Sequence, residues 1–183
     1  TTDGVVPGTS RANTHHVNQQ GATRATRMQR VFSMIALNAN GLAVTTMACL
    51  LHYAEQCKFP DVICIQEAKT ELIPGMGHYP YKAIINPPNK EETNEPIGGT
   101  VILVHKRWWE GLNELSTLPD EGDVCWAKLS SSDTVILVGS LYLRNKTGLL
   151  PTSDPDFEAQ MSAIRLRVKE HQSKGAHVFL LGD

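Results

Sequence analysis

Two short apolar runs and the segment between them decide the fold. The first is Val31-Phe32-Ser33-Met34-Ile35-Ala36-Leu37, closed by Asn38-Ala39-Asn40-Gly41. The second is Asp61-Val62-Ile63-Cys64-Ile65-Gln66-Glu67. The first run has the length and apolarity of a buried strand, and its Asn/Gly close is turn chemistry. Between the runs, Val44, Met47, Ala48, Leu51 and Ala54 recur at helical spacing and predict a helix over 43–57, stopped by Pro60. Residues 61–67 are short and rich in β-branched residues, as a second strand requires. Strand, helix, strand is the pattern of a crossover unit.

Outward from that unit the pattern changes and then returns. Residues 78–85 predict a strand, 86–98 a loop by composition, and 99–106 another strand. Residues 124–129 and 134–143 read as two strands joined by the turn Ser130-Ser131-Ser132-Asp133. Strands that follow one another without helices imply antiparallel pairing. Asp154 stands at an N-cap with Pro155 at the first helical position. Phe157, Met161, Ile164 and Val168 repeat at helical spacing, and Gly175 closes the helix before a last strand over 176–181. The fold class is therefore α/β, with mixed sheets and two long helices.

Composition excludes several classes. The 183 residues carry 17 Lys+Arg against 19 Asp+Glu, and 41% are hydrophobic, an ordinary globular balance. No apolar run approaches the ~20 residues of a membrane span, so no membrane partner is expected. A net charge of −2 argues against nucleic-acid binding by bulk charge alone. Residues 1–30 hold four Arg and one Asp with no apolar periodicity and read as a flexible basic leader; 31–183 is the folded domain. Cys49, Cys57, Cys64 and Cys125 show no paired metal-ligand spacing and read as buried free thiols, which suits a reducing, intracellular compartment. Trp108 and Trp109 at a strand end read as packing anchors.

Three polar residues stand at the ends of predicted core strands: Asn38, Glu67 and Asp183. Ligands collect beyond strand ends in open α/β sheets. Two carboxylates and an amide oxygen are hard donors that suit Mg²⁺ or Mn²⁺.

Five local words, in order, carry a family resemblance. Leu37-Asn38-Ala39-Asn40-Gly41-Leu42 resembles the first motif of the endonuclease/exonuclease/phosphatase superfamily. Asp61 to Glu67 resembles its second, the strand ending in Gln-Glu. Gly98-Gly99-Thr100-Val101-Ile102-Leu103 is similar to its Gly-Gly strand. Ser140-Leu141-Tyr142-Leu143-Arg144-Asn145 resembles its Tyr-x-Pro-Asn motif, with Arg144 where Pro is usual. Leu180-Leu181-Gly182-Asp183 resembles the start of its Gly-Asp-Phe-Asn motif. The Leu-Asn-x-Asn-Gly-Leu form is most similar to the apurinic-like endonuclease domain of non-LTR retrotransposons.

The resemblance implies a four-layer α/β/β/α sandwich of the DNase I-like type, of which residues 31–183 would be the N-terminal portion. It implies a Mg²⁺-dependent (or Mn²⁺-dependent) DNA endonuclease that nicks a target strand, with a downstream reverse transcriptase domain as partner and a nuclear location. By the same resemblance Glu67 is the main metal carboxylate, with Asn38 and Asp183 completing the metal set. Asp183 also orients or deprotonates the attacking water, and Tyr142 hydrogen-bonds the scissile phosphate. Asn40, Arg144 and Asn145 support the phosphate. The family's catalytic His would lie past Asp183, so these 183 residues by themselves are expected not to turn over. The alternatives are a non-catalytic remnant or binding fragment, and another phosphodiesterase or phosphatase of the superfamily.

Overall fold

A computed structural model describes residues 31–73, 75–90, 96–110, 114–117, 124–143 and 155–182. The basic leader, the Asp154 cap, Arg144, Asn145 and Asp183 lie outside the described residues. Among the described residues, two four-stranded sheets and two α-helices form the main architecture. Strand β1 (Met34–Asn38) leads through α1 (Val44–Gln56) to β2 (Val62–Gln66), and β1 and β2 pair in parallel. The expected crossover unit is therefore present. β3 (Tyr81–Asn86) and β6 (Thr100–His105) complete the first sheet in the order β1-β2-β6-β3, with β6 antiparallel to both its neighbours.

The second sheet contains β7 (Glu114–Thr117), β8 (Val124–Ser130), β9 (Val135–Leu141) and β10 (His177–Gly182), in the order β10-β9-β8-β7. β8 and β9 form the expected antiparallel hairpin. Helix α2 (Pro155–Ser173) carries the chain from β9 to a parallel β10.

Alternation along the strands builds four layers. From β2, Ile63 and Ile65 face one way and pack with Met47, Leu50, Leu51 and Ala54 of α1, together with Val101 and Leu103 of β6. The intervening Val62, Cys64, Ile102 and Val104 face the other way, against Cys125, Ala127, Leu129, Ile136 and Val138 of the second sheet. The outer face of that sheet gives Val124, Trp126 and Leu137 to Ile164 of α2. Three apolar seams thus join helix, sheet, sheet and helix, the layering that the family resemblance implies. The Arg167 guanidinium lies 5.4 Å from the centre of the Trp126 ring, capping the outer seam by a cation–π contact.

The helices end as local chemistry requires. α1 has no side-chain cap at Ala43 and is held by its buried stripe at i, i+3, i+4 and i+7. It stops where Lys58 and Phe59 both turn left-handed and the Phe59 N–H reaches back to the Ala54 carbonyl. α2 begins at Pro155 with Asp156 and Glu158 in its first turn, where the dipole favours acids. Left-handed Gly175 closes it, and the Ala176 N–H bonds the His171 carbonyl.

Four expectations need correction. Val44 and Ala48 are exposed, while Leu50 is buried; a helical stripe accepts i+3 or i+4, and the structure takes the other choice. The 86–98 loop contains a two-residue hairpin, β4 (Asn89–Lys90) with β5 (Pro96–Ile97), and β7 is a further edge strand. Both are too short and polar to show a strand period. Cys49 and Cys57 are exposed, so only Cys64 and Cys125 are buried thiols. The last strand runs to Gly182 rather than Leu181.

Candidate active site

Beyond the C-terminal ends of β1 and β2, pairing continues into the loops. The N–H groups of Ala39, Gly41 and Leu42 bond the carbonyls of Gln66, Glu67 and Ala68. On the other side, the N–H groups of Ala68 and Lys69 bond the carbonyls of Gly99 and Gly98. The Glu67–Lys69 segment is therefore clamped between two backbones. The Gly98-Gly99 pair has φ of +76° and +79°, and a Cβ on Gly99 would stand 3.1 Å from the Pro88 nitrogen. Both the conformation and the closeness call for glycine.

Five non-glycine residues among those described have positive φ, and Asn40, Glu67 and Lys69 are three of them. Backbone strain is concentrated here, as it often is where function needs a fixed geometry.

The side chains of these residues form one set. Asn38 Oδ1 accepts the Asn40 N–H at 3.0 Å, which fixes the orientation of the amide. Its Nδ2 then donates to Glu67 Oε1 at 2.8 Å. Lys69 Nζ donates to Asn40 Oδ1 at 2.7 Å and lies 3.6 Å from Glu67 Oε2. Glu67 keeps 19% of its side-chain surface exposed and Lys69 33%. One carboxylate oxygen is thus anchored by an amide, while the other faces a cation and water.

Gln66 ties this corner to the second sheet. Gln66 is buried, and its Nε2 donates to Ser140 Oγ at 3.0 Å and to the Leu181 carbonyl at 3.4 Å. The ends of β2, β9 and β10 therefore meet at one place. Partly buried Tyr142 follows β9 directly, at that same end. Asn38, Asn40 and Glu67 are thus brought into one hydrogen-bonded set, and Tyr142 is carried to the same end on the other sheet.

Lys69 was not among the residues singled out in the sequence. Its signal was its position: it is the one Lys or Arg between Asp61 and Tyr81, two residues past Glu67. Burial pushes the Cys64 thiol up to about 12, with Ser140 pulling the other way, so it is not a thiolate nucleophile at neutral pH. Trp108 and Trp109 serve packing: their indole N–H groups donate to Asp61 Oδ1 at 2.8 Å and to the Val104 carbonyl at 3.1 Å.

The donor set bears on which metal could fit. No three His, Cys, Asp or Glu side chains cluster among the described residues. One carboxylate beside amide oxygens suits Mg²⁺, which keeps several waters and takes one or two carboxylates. The Lys69 ammonium between Glu67 and Asn40 shows that positive charge is accommodated at this spot.

The sequence matches no protein-family model and no curated protein. Its structure does match solved ones. The 3′ phosphatase NExo from Neisseria, bound to a product DNA hairpin, aligns with TM-score 0.51 at 18% identity, over 84% of this chain and 57% of that one. A truncated TDP2 from Caenorhabditis elegans aligns with TM-score 0.53 at 21% identity, over 83% and 61%. An endonuclease/exonuclease/phosphatase family protein from Leptotrichia buccalis aligns with TM-score 0.52 at 13% identity, over 84% and 66%. The chain thus spans less than two thirds of each of those structures. The fold is the DNase I-like one of the endonuclease/exonuclease/phosphatase proteins.

Proposed function

We propose that this chain carries the metal-and-phosphate corner of a divalent-cation-dependent phosphodiesterase acting on DNA. The observation that supports it best is the Glu67 carboxylate, oriented by Asn38 and left with one oxygen toward a cationic, solvent-reached spot. Glu67 would hold Mg²⁺ or Mn²⁺, with Asp183 as second carboxylate. Asn38 orients the Glu67 carboxylate through Nδ2, and its amide oxygen would be the third hard donor. A bound Mg²⁺ supplies Lewis acidity and a template for the phosphate oxygens. Tyr142 donates its hydroxyl to the phosphate as charge develops there. Arg144 and Asn145 follow it with further phosphate contacts, and Asp183 takes the proton of the attacking water. Asn40 holds the loop that fixes Asn38.

The finer reading is a target-nicking endonuclease of a non-LTR retrotransposon, with DNA as substrate, a reverse transcriptase as partner and the nucleus as its place. The Leu37–Leu42 word carries this part. The test is nicking of supercoiled plasmid in Mg²⁺ by the product of the whole reading frame that contains these residues. Nicking abolished by Glu67→Gln and by chelator is the expected result. Nicking that survives Glu67→Gln would overturn the assignment of the site.

A further inference from the structure

We propose that Lys69 is a built-in counter-ion of this site, occupying the charge of Glu67 until a divalent cation displaces its ammonium toward the neighbouring cleft. The inference rests on Glu67 being the cation ligand and adds a residue that controls how tightly the cation is held.

The geometry carries it. Lys69 Nζ makes a close hydrogen bond to Asn40 Oδ1 at 2.7 Å but stands 3.6 Å from Glu67 Oε2, an ionic distance without a short hydrogen bond. The ammonium is therefore moored by a neutral amide and only electrostatically attached to the carboxylate. Glu67 Oε1 is held separately by Asn38, so the carboxylate keeps its orientation when Lys69 leaves. The left-handed backbone of Glu67 and Lys69, φ +49° and +51°, turns the lysine back onto the carboxylate two residues before it. A surface lysine in ordinary extended backbone at i+2 would point along the same face without folding back.

The lysine also has a place to go. It lines a cleft of about 350 Å³ together with Thr70, Glu71, Leu72, Pro88 and Pro96. Its side chain is one third exposed, so the swing into that cleft costs little desolvation. Parting the ammonium from a carboxylate oxygen 3.6 Å away lowers the apparent affinity for the cation by about tenfold even at water-like dielectric. An ammonium turned into the cleft would also meet a phosphate on a strand laid across the site.

The measurement is calorimetric titration of the 183-residue chain with Mn²⁺ at low and high salt. Lys69→Met is expected to bind Mn²⁺ about tenfold tighter at low salt, with the gain shrinking as salt screens the ammonium. Lys69→Gln, which keeps a polar partner for Asn40, should behave as Lys69→Met does, and Lys69→Arg should stay near the parent affinity. Unchanged or weaker binding in both neutral variants, with binding still lost in Glu67→Gln, would overturn the counter-ion role and leave the site reading standing. Equal binding by the parent and Glu67→Gln would overturn both.

Discussion

Strand β2 carries a carboxylate just beyond each end, and the two have opposite surroundings. Asp61, before the strand, is 2% exposed. Its Oδ2 accepts the Ser33 N–H and hydroxyl at 2.9 and 3.1 Å. Its Oδ1 takes the Trp108 indole N–H at 2.8 Å and lies 3.0 Å from Arg107 Nε. Arg107 in turn donates through Nη2 to the Phe59 carbonyl, and Phe32 packs edge-on against Trp108 with ring centres 5.6 Å apart. Both Asp61 oxygens thus hold protein partners. Glu67, after the strand, has one anchored oxygen, one that faces a cation at 3.6 Å, a left-handed backbone and a solvent path. A saturated buried carboxylate fastens the β1 and β6 ends of the sheet. An unsaturated, strained, reachable one is available to a ligand. The same residue chemistry serves stability at one end of the strand and reactivity at the other.

Asp61→Ala should show the largest effect. It takes the carboxylate from Arg107, Ser33 and Trp108, and breaking a buried ion pair costs about 3–5 kcal/mol. Urea unfolding is expected to show that loss, and a change below about 1 kcal/mol would mean that the Asp61 network behaves like a surface ion pair. Gln66→Ala comes next, because it removes the amide that bonds Ser140 and the Leu181 carbonyl between the sheets. A cost of about 1–3 kcal/mol is expected, together with weaker Mn²⁺ binding, since Gln66 fixes the end from which Glu67 projects. Loss of stability with cation binding intact would separate the two ends more sharply than proposed.

Cys64 lies midway between the two carboxylates and tests the interior of the strand. Its thiol is pushed up to about 12 by burial from a usual 9.0. Between those pH values the unfolded chain ionises the thiol and the folded chain does not. The stability it contributes is fully present below pH 9 and falls as pH rises toward 12, because the folded state binds the extra proton. Cys64→Ala is expected to flatten that part of the pH–stability curve. An unchanged slope would show that other groups set the alkaline limit.

Short continuous apolar runs flanking helical spacing made the two crossover units legible in the sequence, and two such runs joined by Ser130–Asp133 did the same for the β8–β9 hairpin. The strand-end position of Asn38 and Glu67 was legible for the same reason. The short polar β4, β5 and β7 were not, since two to four residues at an edge carry too little burial to leave a pattern. The contact between Asn38 and Glu67 follows from parallel pairing of Asn38 with Gln66, which strand–helix–strand order implies. The return of Lys69 onto Glu67 depends on three left-handed residues, and no periodicity encodes a positive φ outside glycine. Asp61 was read only as the start of a strand, because its partners Ser33, Arg107 and Trp108 lie far away in sequence and meet it only after the sheet has formed.

The most direct test is a pair of thermal melts of the parent and Glu67→Gln, with and without Mn²⁺. Without metal the two should melt within about 2 °C of each other, since Glu67 fastens nothing that the fold needs. With saturating Mn²⁺ the parent melting temperature should rise, as binding to the folded state requires, while Glu67→Gln stays where it was. An equal Mn²⁺-induced rise in both would place the cation elsewhere and contradict the assignment of this end of β2 as the functional one.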